Sequence, residues 1–252
     1  GGDFCGQISN LSFGRSTPQL QYDPQIMQGW GARPGDWQIG VTLQRELMPR
    51  VSLEVGYTRR WLQNFTVTDN RATTVADYTP YSVTAPLDPR LPGGGGYLIS
   101  GLYDVVPAKN AIFDNYRTYA PNYGSLYQIY NGMDVNVNAR LRNGLQVQAG
   151  SSTGQRVTDY CEIRAKLPGQ AGGFSTGSEV PAYSAVNPYC HFAPGVTTRA
   201  TAAGSYTVPK IDVLLSAAFQ SSAGVPLSAN YTIPAATIAQ TLGRAPSGNV
   251  TN

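Results

Sequence analysis

The sequence is poor in charge and contains no long apolar run. Charged residues make up 13% of its 252 positions, about half of the fraction in an average soluble domain. The 15 Arg and 3 Lys are scattered, and the net charge of +3 is too small to indicate a nucleic-acid binder. No apolar run approaches the roughly 18 residues of a membrane-spanning helix. We therefore expect neither nucleic-acid binding nor a transmembrane helix.

Cysteine and histidine are too few and too scattered for a metal site. The chain has three cysteines and one histidine, His191, without a C-x-x-C motif or paired histidines. The glycine run at 92–96 lacks the Lys-Ser/Thr of a phosphate-binding loop, and the serines within 150–154 are in the wrong register for a nucleophile elbow. We expect no metal, no cofactor, no catalytic residue and no enzymatic activity.

Glycine, proline and tyrosine, in contrast, are abundant. The chain holds 28 Gly, 18 Pro and 16 Tyr against 7 Phe. Glycine and proline favour turns, and tyrosine favours strands over helix interiors. The composition therefore predicts an all-β protein with many turns.

Apolar and polar residues alternate along six segments, which predicts six long antiparallel strands in three hairpins. The predicted strands are 37–47, 51–67, 128–141, 145–153, 200–208 and 211–220. Tight turns of two or three residues join them in pairs at 48–50, 142–144 and 209–210. Gly144 supplies the left-handed residue that the second turn requires.

The connections between the hairpins are much longer than the turns. They cover 68–124 and 158–195, so every short turn lies at one end of the strands and every long loop at the other. Antiparallel transmembrane β-barrels of the outer membrane have this arrangement. We expect barrel strands over 37–222, with external loops at 1–36 and 223–252. A soluble β-sandwich is the alternative, but its strands are shorter and its long loops lie at both ends.

Aromatic residues are placed as in the girdle of such a barrel. If Leu47 pairs with Val51 across the first turn, Trp37 faces Trp61 about ten residues away, one bilayer crossing from the turn. With Tyr57 on the same face, the two tryptophans form a predicted aromatic girdle. The alternative is an ordinary cross-strand tryptophan pair.

The polar face of the same strands looks inward in a barrel. It carries the residues that we expect to face the lumen, where they line a solute path or bind a plug: Glu54, Arg60, Asp134, Asn136, Asn138 and Arg140. The alternative is a solvated face without a specific ligand.

Cys161 and Cys190 lie within one predicted external loop. In an oxidising compartment we expect them to form a disulfide, which stabilises the folded loop by roughly 3 to 4 kcal/mol. Two free thiols are the alternative. Cys5 has no obvious partner in the sequence, so it is free or pairs with a thiol outside this chain.

Ten motifs in these segments resemble one protein family. They are Tyr22–Pro24, Gly35–Gln38, Pro49–Tyr57, Arg60–Trp61, Asn64–Asn70, Ala85–Pro92, Asn131–Asp134, Ala139–Leu145, Asn187–His191 and Tyr206–Lys210. They are similar to the C-terminal barrel half of TonB-dependent receptor-like outer-membrane proteins, in the branch with a carboxypeptidase-regulatory-like domain ahead of its plug. The resemblance covers nearly the whole chain.

The resemblance implies a plugged outer-membrane barrel of about 22 strands in a Gram-negative-type bacterium. Such a receptor takes up a scarce ligand with energy from an inner-membrane TonB-type complex. Six crossings cannot close even an eight-stranded barrel. We therefore expect outer-membrane lipid and the remainder of a larger barrel, or partner chains, to surround this sheet. The alternative is a structural or adhesive cell-surface β-protein that works in an assembly.

Overall fold

Antiparallel β-sheet dominates the computed structural model, which describes residues 20–141, 144–169, 187–224 and 229–247. Its strands are β1 (Leu20–Tyr22), β2 (Gly35–Met48), β3 (Val51–Gln63), β4 (Thr66–Asn70), β5 (Tyr78–Thr84), β6 (Leu98–Val105), β7 (Asn115–Tyr119), β8 (Tyr127–Arg140), β9 (Leu145–Asp159), β10 (His191–Phe192), β11 (Thr197–Val208) and β12 (Val213–Ser221). Its described α-helices are α1 (Pro24–Met27), α2 (Cys161–Lys166) and α3 (Ala235–Leu242). The all-β expectation is confirmed.

Six of these strands form one antiparallel sheet, here called the long sheet. Its order is β12-β11-β9-β8-β3-β2, so each long strand pairs with its neighbours along the chain, and β10 adds to β9. Within the described residues, β2 and β12 are edges, and no closed barrel is present. The three predicted hairpins are confirmed.

The first hairpin has the predicted register with a different turn. Trp37 faces Trp61, and the register stays unchanged from that pair to the pair of Glu46 and Ser52. Val51 then pairs with Met48 and not with Leu47, so the predicted Leu47–Val51 pair is wrong. The turn is shorter than predicted because Arg50 adopts a left-handed conformation (φ 73°), and a bulge at Leu47 accommodates the extra residue.

Of the other two predicted turns, the second is confirmed and the third is wrong. The second is confirmed as far as it is described: Gly144 has φ 83°, and the Leu141 N–H donates to the Leu145 carbonyl at 2.8 Å. In the third, Val208 pairs with Val213, so the predicted turn at 209–210 is wrong. Four residues, 209–212, form that turn. The turn is two residues longer than predicted, and because two is an even number the apolar residues of both strands still share one face.

The predicted second strand is also too long. β3 ends at Gln63 because Asn64 takes a left-handed conformation (φ 57°) that redirects the chain. Residues beyond it form β4, which pairs with β7 in a separate three-stranded sheet with β1. On β3 the apolar face of the long sheet therefore ends at Trp61, and Phe65 and Val67 are buried elsewhere.

The long connections fold into a packed structure, here called the loop assembly, which holds two small sheets and the three helices. One hydrophobic cluster joins the first connection to the second: Phe65, Val67, Ala120, Tyr160, Ile163 and Leu167. Another joins the β5–β6 hairpin to the C-terminal segment: Tyr81, Val83, Leu102, Ile233, Ile238 and Leu242. Among the described residues, every buried hydrophobic side chain lies outside the six strands of the long sheet.

Candidate functional site

The two faces of the long sheet are chemically opposite, because cross-strand pairing keeps residues of one kind in register. One row of the apolar face runs across Leu43, Val55 and Val135, and the neighbouring row of the polar face runs across Gln44, Glu54 and Asn136. A shift of one residue would mix the two faces. The apolar and polar residues that alternate along each strand therefore form two separate surfaces, one on each side of the sheet.

The structure brings all six predicted lumen residues onto the polar face. Their positions follow from the pairs Gln38–Arg60, Glu54–Asn136, Gly56–Asp134, Ser52–Asn138 and Arg140–Gln146. Arg60 Nε donates to Asp36 Oδ2 at 2.7 Å, and Asn136 Nδ2 donates to Glu54 Oε1 at 3.3 Å. Arg60, Glu54 and Asn136 therefore belong to hydrogen-bonded pairs on this shared surface.

The polar face is concave. A cleft of about 1080 Å³ lies near the turn end and is lined by residues from all six long strands. Gln44 and Glu46 lie at one margin, and Ser216 lies at the other. A cleft that reaches both edges of a six-stranded sheet requires the sheet to curl toward its polar side.

Glycines on the polar face accommodate large side chains. Gly132 and Gly154 face each other on β8 and β9, and the Tyr130 ring covers both. A Cβ at either glycine would lie 2.8 Å from a ring carbon of Tyr130. Asn136 covers Gly150 in the same manner. An aromatic ring over strand glycines restores packing that glycine alone cannot provide. No sequence motif marks this contact, because it depends on the register of two strands.

The apolar face carries the predicted aromatic residues at two levels. Trp37 and Trp61 form the expected cross-strand pair near the loop assembly, and Trp37 Nε1 donates to Gln63 Oε1 at 3.0 Å. Tyr57 lies four residues nearer the turn, about 13 Å along the strand. Its hydroxyl donates to Asn131 Oδ1 at 2.9 Å.

No described residue covers the apolar face. On β2 alone Trp37, Ile39, Val41 and Leu43 are 56 to 71% exposed, and on β12 Phe219 is 60% exposed. Six strands about 4.8 Å apart, each with roughly seven same-face positions about 6.7 Å apart, give a patch on the order of 1000 Å². Patches above a few hundred Å² on soluble monomers mark contact sites with proteins or membranes.

Charge on this face is confined to three residues of the described long strands: Arg45, Arg59 and Asp159. Asp159 lies at the loop end, where His191 Nδ1 is 2.7 Å from its carboxylate and the Cys161 N–H donates to it at 3.0 Å. Arg45 lies close to the turn, so its long side chain can reach the edge of the apolar band. The middle of the face is uncharged.

The predicted disulfide is present between Cys161 and Cys190. It fixes the start of α2 to the strand end, where the Tyr160 N–H also donates to the Cys190 carbonyl at 3.1 Å. Tyr160 is buried, which raises the pKa of its hydroxyl, and that hydroxyl donates to the Tyr189 carbonyl at 2.7 Å. The second connection is thereby held against the long sheet. Cys5 lies outside the described residues.

Polar contacts hold the remaining loop segments together. Thr118 Oγ1 donates to Asp23 Oδ2 at 2.5 Å, and this hydrogen bond, with one from the Gln25 N–H, lowers the pKa of the Asp23 carboxyl. Burial, followed by a hydrogen bond to Asp69, raises the pKa of Tyr123. Near neutral pH, Tyr123 and Tyr160 therefore stay protonated and Asp23 stays ionised, which suits structural roles.

The described residues contain neither a metal-binding cluster nor a helix that could cross a membrane. Within 20–141, 144–169, 187–224 and 229–247, no group of three or more His, Cys, Asp or Glu side chains is close enough to hold a metal ion. None of the helices described there is long and apolar enough to cross a membrane.

Comparison with family models, with curated proteins and with solved structures finds no match to this chain.

Proposed function

We propose that this chain is part of an outer-membrane TonB-dependent receptor-like barrel that takes up a ligand through the cell envelope. The observation that carries this proposal is the uncovered apolar face of the long sheet. The chain buries its hydrophobic residues in the loop assembly and leaves Leu43 71% exposed and Val41 66% exposed on a strand rich in such residues. Burying a side chain of this kind gains about 1.5 to 3 kcal/mol, and lipid provides that burial.

The shape of the sheet supports the same proposal. Its polar face is concave and its apolar face is convex, as the lumen and lipid sides of a barrel are. The turns lie at one end and the loop assembly at the other, which matches short periplasmic turns and long external loops. Outer-membrane lipid is then the partner of the convex face.

The edge strands define what else the barrel needs. Backbone groups on the outer sides of β2 and β12 have no strand partner among the described residues, and each unsatisfied group in lipid costs several kcal/mol. We infer that further strands of a larger barrel, or of partner chains, pair with these two edges. An energising TonB-type complex would act on the receptor through regions other than these strands.

Site-directed cysteine labelling tests the proposal. Single cysteines at Val41 and Leu43 on the apolar face, and at Thr42 and Gln44 on the polar face, are introduced on β2 of the intact polypeptide in a Cys5→Ser background. In isolated outer membranes, we expect a membrane-impermeant maleimide to label positions 42 and 44 and to leave 41 and 43 unlabelled. A bimane fluorophore at 41 or 43 is expected to be quenched by spin-labelled lipid.

The alternative function, a structural or adhesive surface protein, is supported by the same open edges, since assemblies also grow by edge pairing. It predicts a different result. The apolar positions would be protected only after assembly, lipid spin labels would quench none of the four probes, and washing would release the protein from membranes. That combination would overturn the barrel proposal.

A further inference from the structure

The convex face contains a second concavity beside the tryptophan pair. It has a volume of about 440 Å³, and the residues that line it from the apolar face are Ile39, Arg59, Trp61, Tyr127 and Ile129. It therefore lies at the loop end of the apolar band, at the level of the tryptophans. In the proposed barrel this level is the boundary between hydrocarbon and headgroups.

Arg59 is the one cation among the described residues that line this concavity. Its strand partners are Ile39 on one side and Asn131 on the other, and its neighbours on the same face along β3 are Tyr57 and Trp61. None of these residues is acidic. The described acidic residue of this face, Asp159, is engaged by His191 and by the Cys161 N–H. The guanidinium is thus a positive charge in an apolar and aromatic setting with no anion of the described long strands beside it.

We propose that this concavity binds the phosphate-bearing headgroup of an outer-leaflet lipid. Arg59 supplies a planar, permanently charged fork that matches phosphate oxygens. Trp61 and Tyr127 are amphipathic rings of the kind found at headgroup level. From Arg59 toward the turn, the face continues through Tyr57, Val55 and Leu53, which gives acyl chains an apolar path.

This inference rests on the proposed function, because lipid reaches the convex face only if that face lies in a membrane. It adds a defined lipid site to a surface that otherwise needs only to be apolar. It also assigns a role to Arg59, whose charge a lipid-facing strand does not otherwise require.

Lipid titration of the intact polypeptide in detergent micelles tests the site. The probes are dioleoyl phosphatidic acid and its phosphate-free counterpart dioleoylglycerol, and native mass spectrometry measures the bound lipid. We expect Arg59→Gln to weaken phosphatidic acid binding by about tenfold, the loss of a charge-assisted hydrogen bond. Arg59→Lys is expected to retain most of the binding. Arg45→Gln, which removes the other arginine of the face, is the matched control and should change binding less than twofold.

Two further outcomes decide the chemistry without any variant. Equal binding of dioleoylglycerol and phosphatidic acid by the unaltered protein would overturn the phosphate assignment. If inorganic phosphate alone displaced the lipid at equal concentration, the site would be one for free phosphate and the lipid assignment would be wrong.

Failure of this inference can be told apart from failure of the barrel proposal. Membrane-type cysteine labelling together with unchanged lipid binding in Arg59→Gln overturns the lipid site alone. Absence of lipid quenching at positions 41 and 43 overturns both.

Discussion

Tyr130 covers Gly154 across the β8–β9 pair, and its ring also covers Gly132 on its own strand. The contact lies on the concave face, and the Gly132–Gly154 pair is three residues along the strand from Ile129, which pairs with Trp61. It joins two long strands at a place where neither glycine has a side chain to pack. A sheet without a hydrophobic core beneath it depends on such cross-strand contacts for its register.

Gly154→Ala tests the tyrosine contact directly. The added Cβ would lie 2.8 Å from the Tyr130 ring, and we expect a loss of about 1 to 3 kcal/mol in unfolding free energy from overpacking. Urea unfolding of the intact polypeptide in detergent measures the loss.

The matched control is Gly40→Ala in the same row, where the nearest atom to an added Cβ is the Thr58 hydroxyl at 3.8 Å. It should cost little. In a Tyr130→Ala background the penalty of Gly154→Ala should disappear. An equal penalty with and without Tyr130 would show that the ring is not the cause.

The disulfide sets the number of cysteine thiols that can react. In denaturant without reductant, we expect a maleimide to label at most one cysteine of the three, namely Cys5. After reduction all three should react. Two or more labelled thiols before reduction would contradict the Cys161–Cys190 bridge.

Loss of the disulfide should destabilise the loop assembly more than the long sheet. Closing a loop between residues 29 positions apart stabilises the folded state by roughly 3 to 4 kcal/mol. In the Cys161→Ser/Cys190→Ser variant, amide exchange should accelerate in α2 and β10, while β3 and β8 stay protected. Equal acceleration in both regions would contradict a local role.

The sequence predicted the long sheet well. When one face of a sheet is apolar, the alternating apolar residues of each strand specify the register in which the strands pair. A shift by one residue at Trp37 would have turned every apolar side chain of β2 to the other face. The disulfide was also predicted, since Cys161 and Cys190 lie in one connection. Whether the sheet belongs to a barrel in a membrane does not follow from alternation, because an edge-paired assembly produces the same pattern.

The loop assembly was not predicted, for a physical reason that residues 64–70 illustrate. Phe65 and Val67 continue the alternation of β3, so the sequence suggests one uninterrupted strand. The chain departs at Asn64, whose left-handed conformation is open to asparagine without being marked by any motif. The buried positions of Phe65 and Val67 are then set by Tyr160 and Ile163, far along the sequence.

Acidification should weaken the docking of β1 and α1 to the loop assembly. The Thr118 hydroxyl and the Gln25 N–H lower the pKa of Asp23 below its ordinary value of 3.8. A carboxyl with a lowered folded pKa contributes stability that is complete above its unfolded pKa and is lost as the pH falls through its folded pKa. We expect the effect below about pH 4.

The exchange protection factor of the Asp23 amide measures this effect, because that N–H donates to the Arg117 carbonyl at 2.8 Å. The ratio of protection between the unaltered protein and Asp23→Asn should be largest above pH 5 and should fall toward pH 3. Thr118→Val, which removes the main cause of the shift, should show a smaller pH dependence. A ratio independent of pH would count against the assignment.

The long sheet has two open edges within the described residues, formed by β2 and β12. β2 is exposed along nearly its whole length and β12 along all of it, and no described strand pairs with their outer sides. Soluble proteins usually blunt such edges with charge or proline, but β12 contains neither. In the proposed barrel, these edges and the uncovered apolar face need partners. We therefore expect the isolated 252-residue chain not to form a stable monomer in water or in detergent. Analytical ultracentrifugation and urea unfolding of this chain measure the outcome. A monodisperse monomer with a sharp, cooperative unfolding transition would mean that the sheet is self-contained and would remove the need for a larger barrel.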